Sequence, residues 1–505
     1  MHQLLILSSA GKPIYSLNGE LNEIAAMSAI VQTIQAFYEF SPSNQQLQSF
    51  TTDDNNNGNG GNTRTLFVFS NKSPILLLAV SSDPMSTTQE LSLQLDILYS
   101  FLLATLSKPF IDKTFSRRAN FDLRQLLSQT DVDALDSLCN GLVNRTNPFQ
   151  TFGGLSCMKM KSSIRRNLER QLSKHQTENL LYALIVGPNG SLIDIMRPKR
   201  HSLHTSDLSI LFDMVYNTNT FKSPNGKLTT SETFWLPLCL PKFNSSGHLY
   251  TLIQFHQIND PRLCELHGVE YIPNEDSDKS KIAIMILTPY KDAFTEMKKV
   301  ASGIAKLILF NKSFWNEIYK GLLGSNILTV ESILPPMGTL NGSNVTTKSI
   351  RSFFLSSPTP TSSPLHTPTP TDADINTATV ATAAISATVS NDDQSIRPIT
   401  SLMSNLDIPL HFVIKNRKLT QFIYPHTNNN FLPIYASIRN QLQSGIKLIH
   451  FHGMTVIGVI LTNYEIYVIG KGAQTMSQMM TFVRRLLKYS RKEEQRLFIS
   501  TGCIF

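Results

Sequence analysis

One order of elements recurs three times along the chain, and this repetition limits the possible folds more than any single motif does. In the first pass, residues 4–9 and 14–16 read as short strands joined by a turn at Gly11-Lys12-Pro13. Residues 22–40 follow, with Ile24, Met27, Ile30, Val31, Ile34 and Phe37 spaced every three or four positions. That spacing predicts a helix with one buried apolar face, on which Ile24, Ile30 and Ile34 are core. Residues 66–70 and 75–81 are apolar strands, and 90–107 is a helix stopped by Pro109. In the second pass, 180–187 and 191–197 flank Pro188-Asn189-Gly190, a hairpin signal. A helix over 207–216 with Ser206 as its cap comes next, then strands over 233–240, 249–256 and 282–288. A helix from 292 to 309 continues toward Tyr319. The third pass has a hairpin over 410–415 and 419–424, a helix over 432–442, strands over 447–452, 455–461 and 465–469, and a closing helix over 477–489.

Three copies of strand–strand–helix–strands–helix predict an α+β protein of three longin-like domains, each an antiparallel sheet flanked by helices. Helices on both faces allow a strand such as 282–287 to be apolar throughout. The expected boundaries are 1–128 for the first domain, 129–178 for a helical connector, 179–325 for the second domain and 408–505 for the third. A low-complexity, disordered linker is expected over 340–402, because 356–393 is rich in Ser, Thr, Pro and Ala and nearly without large apolar residues. Its Ser/Thr-Pro pairs at Ser357, Thr359, Ser363, Thr367 and Thr369 suit a proline-directed kinase. The Asn-Gly tract at 55–62 cannot bury apolar area and reads as a loop.

A chain of 505 residues is too long for one core. Net charge +8 and a pI of 9.1 favour an anionic partner, either a membrane surface or an acidic protein. Nucleic acid is not expected, because no recognition motif accompanies the charge. Cys139, Cys157, Cys239, Cys264 and Cys503 are scattered and never form C-x-x-C, which argues for reduced thiols in the cytosol. The N-terminal apolar run is too short for a signal peptide, and no run is long enough to span a bilayer.

Catalytic chemistry has no constellation here. Gly187-Pro188-Asn189-Gly190 lacks the Lys and Ser/Thr of a phosphate loop, and G-x-S-x-G is absent. His201 with His204, and His450 with His452, lack the further ligands a metal would need, so no metal and no cofactor are expected. Two basic features remain. Arg197-Pro198-Lys199-Arg200-His201 is a loop that concentrates Arg197, Lys199 and Arg200. Arg484, Arg485, Lys488, Arg491 and Lys492 lie on or just beyond the last helix, beside Glu493 and Glu494. Near an anionic bilayer each such residue contributes on the order of 1 kcal/mol.

Several stretches, in order across all three domains, resemble the SAND/Mon family of vacuolar fusion proteins. They are Ile6-Leu7-Ser8-Ser9-Ala10-Gly11-Lys12-Pro13-Ile14-Tyr15-Ser16, Asn120-Phe121-Asp122-Leu123-Arg124, Arg197-Pro198-Lys199-Arg200-His201-Ser202-Leu203-His204 and Leu238-Cys239-Leu240-Pro241-Lys242-Phe243-Asn244. Glu493-Glu494-Gln495-Arg496-Leu497-Phe498-Ile499 supports them near the end. The resemblance implies a subunit that pairs with a Ccz-type tri-longin chain. The heterodimer would be the guanine-nucleotide exchange factor of a late-endosomal or vacuolar Rab GTPase, acting in endosome maturation, vacuole or lysosome fusion and autophagy. It implies Rab and partner binding by the first domain, and binding to phosphoinositide-containing membrane by the second and third. It also implies a peripheral place on late endosomes, vacuoles or lysosomes. Lys12, Pro13 and Tyr15, with the exposed side of the 22–40 helix, are the expected Rab contacts. Arg197, Lys199, Arg200, Arg484, Arg485 and Lys488 are the expected membrane contacts. The family usually carries a disordered, often acidic extension before the first strand; Met1 falls almost on that strand here, so the regulation that extension implies is not expected. A non-catalytic longin scaffold or adaptor is the competing expectation.

Overall fold

The sheets show why so many strands lack an apolar–polar alternation. A computed structural model describes residues 2–17, 21–39, 47–54, 63–198, 203–218, 220–223, 226–230, 232–273, 276–324, 327–333, 408–425, 430–442 and 444–500. The first sheet takes β1 (His2–Ser8), β2 (Pro13–Ser16), β3 (Ser49–Asp54), β4 (Thr63–Lys72) and β5 (Ile75–Ser81) in the order β2-β1-β5-β4-β3. Its helices are α1 (Leu21–Glu39), α2 (Thr88–Leu106) and α3 (Lys108–Arg117). Every residue of β5 is buried. Leu77 and Ala79 pack with α2, whereas Leu76, Leu78 and Val80 pack with Ile24 and Val31 of α1. With helices on both faces, period-2 patterning has no solvent side to report.

The connector holds α4 (Gln129–Val143), α5 (Pro148–Phe152), β6 (Leu155–Ser156) and α6 (Ser162–Leu172). The second sheet takes β7 (Tyr182–Val186), β8 (Leu192–Met196), β9 (Thr233–Leu240), β10 (Ser245–Gln257) and β11 (Lys281–Thr288), in the order β8-β7-β11-β10-β9. This repeats the connectivity of the first sheet. Its helices are α7 (Thr205–Asn217), the short α8 (Pro241–Asn244) and α9 (Pro261–His267), α10 (Phe294–Phe310), α11 (Lys312–Leu322) and α12 (Val330–Ile333). The third sheet takes β12 (His411–Asn416), β13 (Gln421–Ile423), β14 (Gly445–Phe451), β15 (Met454–Ile460) and β16 (Tyr464–Lys471), with α13 (Leu432–Gln441), α14 (Met476–Lys492) and α15 (Glu494–Leu497). Its order, β14-β15-β16-β12-β13-β6, is the same topology with one strand added at the edge.

That added strand joins the domains. β6 pairs parallel to β13, and Cys157 just after it bridges Leu192 of β8, so the connector is stitched between the second and third sheets. Gly154 makes the approach feasible, since a Cβ there would lie 2.5 Å from the Thr420 carbonyl oxygen. Arg145 fastens the first domain, donating to Asp83 at 2.9 Å and to Glu90 at 2.6 Å, while Asn440 of the third domain donates to the same Glu90. One face of each sheet contributes to a single shared core. The opposite faces have private helix layers: α1 on the first sheet, α6, α10 and α11 on the second, α13 and α5 on the third.

Four expectations change. β3 has the sequence SFTTDD, with no apolar alternation to mark it, because it is a sheet edge. His204, not Ser206, caps α7, its Nδ1 accepting from the Ser206 N–H at 3.2 Å. The helix expected to run on toward Tyr319 breaks at Asn311, whose backbone is extended and whose side chain caps α11. Ile30 is not core, as described below. The 55–62 tract and the 340–402 linker lie outside the described residues, as does Cys503. Cys139, Cys157, Cys239 and Cys264 are buried thiols.

Candidate interaction surfaces

A helix turns about 100° per residue, so its buried arc can be compared with its apolar arc. On α1 the buried stripe is narrow: Ile24, Ser28 and Val31 point at the first sheet. Met27 and Ile34 flank it, half-buried. Ile30 is 60% exposed, Phe37 76% and Tyr38 39%. The apolar arc therefore extends well past the sheet, which corrects the placement of Ile30 in the core. Phe37 and Tyr38 meet edge to face, with ring centroids 5.9 Å apart. On the same sheet face lies Phe50 of β3, stacked on Phe67 at 4.6 Å. β3 is the outer strand of the sheet, pairing with β4 alone, so its other backbone edge has no strand among the described residues. Unpaired strand edges beside exposed apolar side chains are adhesive.

The β1–β2 turn sits on α1. Gly11 has φ 75°, its carbonyl accepts from Ser28 Oγ, and its N–H donates to the Ser8 carbonyl at 2.8 Å. Lys12 is exposed, its Nζ donating to the Asn120 carbonyl at 2.7 Å, and Pro13 is half-buried beside it. These two share a surface with α1. Tyr15 does not, because its ring is buried and its hydroxyl donates to Asp136 of α4 at 2.6 Å. Burial and that neighbouring carboxylate raise the phenol above its ordinary value. Tyr15 therefore anchors α4 to the sheet, a correction to its expected contact role.

Of the basic features, Arg197 is half-buried, and Lys199 and Arg200 lie outside the described residues. On α14 the apolar Met479, Phe482, Val483 and Leu486 are buried, which turns Arg484, Lys488, Arg491 and Lys492 outward; Arg485 is half-buried. The nearby carboxylates are engaged elsewhere. Glu493 pairs with Arg496 at 2.8 Å, and Glu494 accepts from Asn416 at 2.9 Å. Among the described residues none of Arg484, Lys488, Arg491 and Lys492 has an acidic partner.

A second basic layer was not read from the sequence. The outward sides of α6, α10 and α11 expose Arg166, Arg170, Lys299, Lys306, Lys312 and Lys320. The connector links the two domains that carry these layers: the Met160 N–H donates to the Arg496 carbonyl at 2.9 Å, and the Lys161 N–H to Glu317 of α11 at 2.8 Å. No local charge run signals this layer, because its cations come from three separate helices and only packing makes them neighbours. No described helix is long and apolar enough to cross a membrane.

Comparisons with known proteins agree with this architecture. The model of the first longin domain of FUZ, MON1 and HPS1 matches residues 2–138, and that of their second longin domain matches 178–306. A Saccharomyces cerevisiae protein named vacuolar fusion protein MON1 is 34% identical over 307 residues, covering 59% of this chain and 42% of that protein. Its namesake in Yarrowia lipolytica is 40% identical over 253 residues, 50% of this chain and 42% of the relative. That of Eremothecium gossypii is 34% identical over 309 residues, 60% and 50%. The chain spans about half the length of the curated relatives it matches.

Proposed function

The chain belongs to the Mon-type family of longin proteins, and from that premise we propose that it is one subunit of a heterodimeric guanine-nucleotide exchange factor. Its substrate is a late-endosomal or vacuolar Rab GTPase, its partner a Ccz-type tri-longin chain, and its workplace a phosphoinositide-containing membrane of the late endosome, vacuole or lysosome. The relatives' name, vacuolar fusion protein, supports the trafficking role. The observation that carries the reading is the first domain's surface that no described residue covers: Ile30, Phe37 and Tyr38 on α1 beside the outer edge of β3. A second longin sheet supplies both a strand edge and an apolar helix, which is what that surface lacks.

Exchange makes and breaks no covalent bond, so it needs no nucleophile. It needs a composite surface that holds the nucleotide-free GTPase more tightly than the GDP-bound form, and this difference lowers the barrier to GDP release. Lys12 and Pro13, on the turn resting against α1, are the residues of this chain we place on that surface. The exposed cations of α14 (Arg484, Lys488, Arg491 and Lys492) and of the α6–α10–α11 layer, none of which has an acidic partner among the described residues, orient the second and third domains toward anionic headgroups. A scaffold or adaptor would use the same surfaces without accelerating release. The test is fluorescent GDP leaving a panel of Rabs in the presence of this chain with a Ccz-type subunit. Acceleration on a late-endosomal Rab supports exchange, and co-purification without acceleration on any Rab supports the scaffold.

A further inference from the structure

A cleft of about 630 Å³ opens where the connector, the second domain and the third domain meet. It lies away from α1, β3 and the basic helices. Its walls come from α4 and α5, from α7, and from the β13–α13 side of the third sheet. This is the size of a pocket for a drug-sized molecule. Its composition is unlike that of the rest of the chain: a protein of net charge +8 supplies no lysine or arginine among the described residues lining it. Among the described residues, the only carboxyl lining it is that of Asp213 of α7.

Asp213 is held as a binding group would be. Its Oδ1 accepts from Asn147 Nδ2 at 2.5 Å and from Asn217 Nδ2 at 3.0 Å, two amides that fix the carboxyl plane. Its Oδ2 is buried and has no partner among the described residues. An unpartnered buried carboxyl oxygen costs free energy, and such atoms mark places where a further group is missing. Burial raises this carboxyl to about 7, so it is poorly stabilised as an anion. Around it the cleft presents aromatic side chains from all three contributors: Phe149, Phe212, Tyr216, Phe431 and Tyr435. The imidazole lining the cleft is already engaged. His411 Nε2 donates to the Pro425 carbonyl at 2.9 Å, which leaves Nδ1 to accept from the Tyr435 hydroxyl at 2.8 Å.

We infer that this cleft binds a small organic cation, an ammonium that pairs with the Asp213 carboxyl while its apolar body lies among the aromatic rings. A carboxylate supplies the charge-assisted hydrogen bond, aromatic faces supply cation–π attraction, and no described lining residue is a lysine or arginine that would compete. Because the three walls come from three parts of the chain, an occupant would also brace the joint between them. This site goes beyond the exchange function and does not depend on it.

The test uses the full chain and three probes of one shape: phenethylamine, phenethyl alcohol and phenylacetate, followed by ligand-observed NMR and thermal unfolding. Phenethylamine is expected to bind and to raise the melting temperature, the alcohol to bind more weakly, and phenylacetate not to bind. Asp213→Asn keeps the shape and both amide contacts to the remaining oxygen, and it should weaken the amine about tenfold or more. Asn217→Lys, at an exposed position, places a resident ammonium beside Asp213 and should exclude the amine equally. The inference is overturned if phenylacetate binds as well as the amine, if the wild-type chain binds no amine, or if amine binding survives in either folded variant.

Discussion

Asp213 shows how one buried carboxyl sets a pH dependence. Its ordinary value is 3.8, and burial raises it to about 7 in the folded chain. The folded state therefore keeps this proton to higher pH than the unfolded state does. The stability it contributes is complete below the ordinary carboxyl range and is lost as pH rises through about 7. Asp213→Asn should flatten that part of the stability profile, as urea unfolding measured from pH 4 to pH 8 would show; an unchanged slope would mean that Asp213 is not buried as described. Gln421 is a second residue with a measurable role. Its Nε2 donates to the Ile499 carbonyl at 3.0 Å and its Oε1 accepts from the Ile499 N–H at 2.8 Å. Gln421→Leu leaves both backbone groups buried and unpaired, an expected loss of about 2 kcal/mol in chemical denaturation. Neither residue stood out in the sequence. Asp213 looked like a polar position on a helix, and Gln421 like a strand residue, because the groups they meet are 66 and 78 positions away. Tyr15 escaped for the same reason, since its partner Asp136 lies 121 positions on.

Elements were more legible than residues, and the exceptions have causes. The hairpin at Pro188–Gly190 and the apolar strand β11 were read correctly, because a turn signal and a run of buried side chains are local. The break at Asn311 was missed because Asn caps a helix only if the chain turns there, and apolar spacing continues through Phe314 and Ile318. Asn311→Ala should cost about 1 kcal/mol in thermal or chemical unfolding through loss of that cap. On α1, periodicity located the helix and misjudged its exposed arc, since an exposed apolar residue has the same spacing as one in the core. Ile30→Ser with Phe37→Ser should change the isolated chain's stability by no more than about 0.5 kcal/mol. The same pair should abolish co-purification with a Ccz-type subunit; retained co-purification would remove α1 from the interface. On α14, Arg484→Glu with Lys488→Glu should weaken binding to phosphoinositide-containing vesicles roughly tenfold or more, and added salt should narrow the difference. Unchanged flotation with those vesicles would assign α14 an ordinary solvated face.

At the scale of the whole molecule, the three repeats are not beads on a string. One face of every sheet feeds a shared core, β6 is borrowed by the third sheet, and Arg145 and Asn440 converge on Glu90. The sequence made the number of sheets and their connectivity readable, because each repeat has its own pattern. It did not show that they share a core, because sharing is a matter of which buried face meets which. A single cooperative melting transition for the described domains follows, and calorimetry resolving separate transitions would contradict it. Outside that core the described residues expose an apolar helix arc beside a strand edge that no described strand covers at one domain, and outward cations on two others. The proposed exchange surface, which would hold an empty GTPase, accounts for these features without a catalytic residue. The most direct measurement is the rate of fluorescent GDP release from a late-endosomal Rab, with this chain, a Ccz-type subunit and phosphoinositide-containing vesicles together. Release should be accelerated by the pair, and not by the pair carrying the Ile30→Ser and Phe37→Ser changes. Release from that Rab no faster with the intact pair than without it would contradict the account.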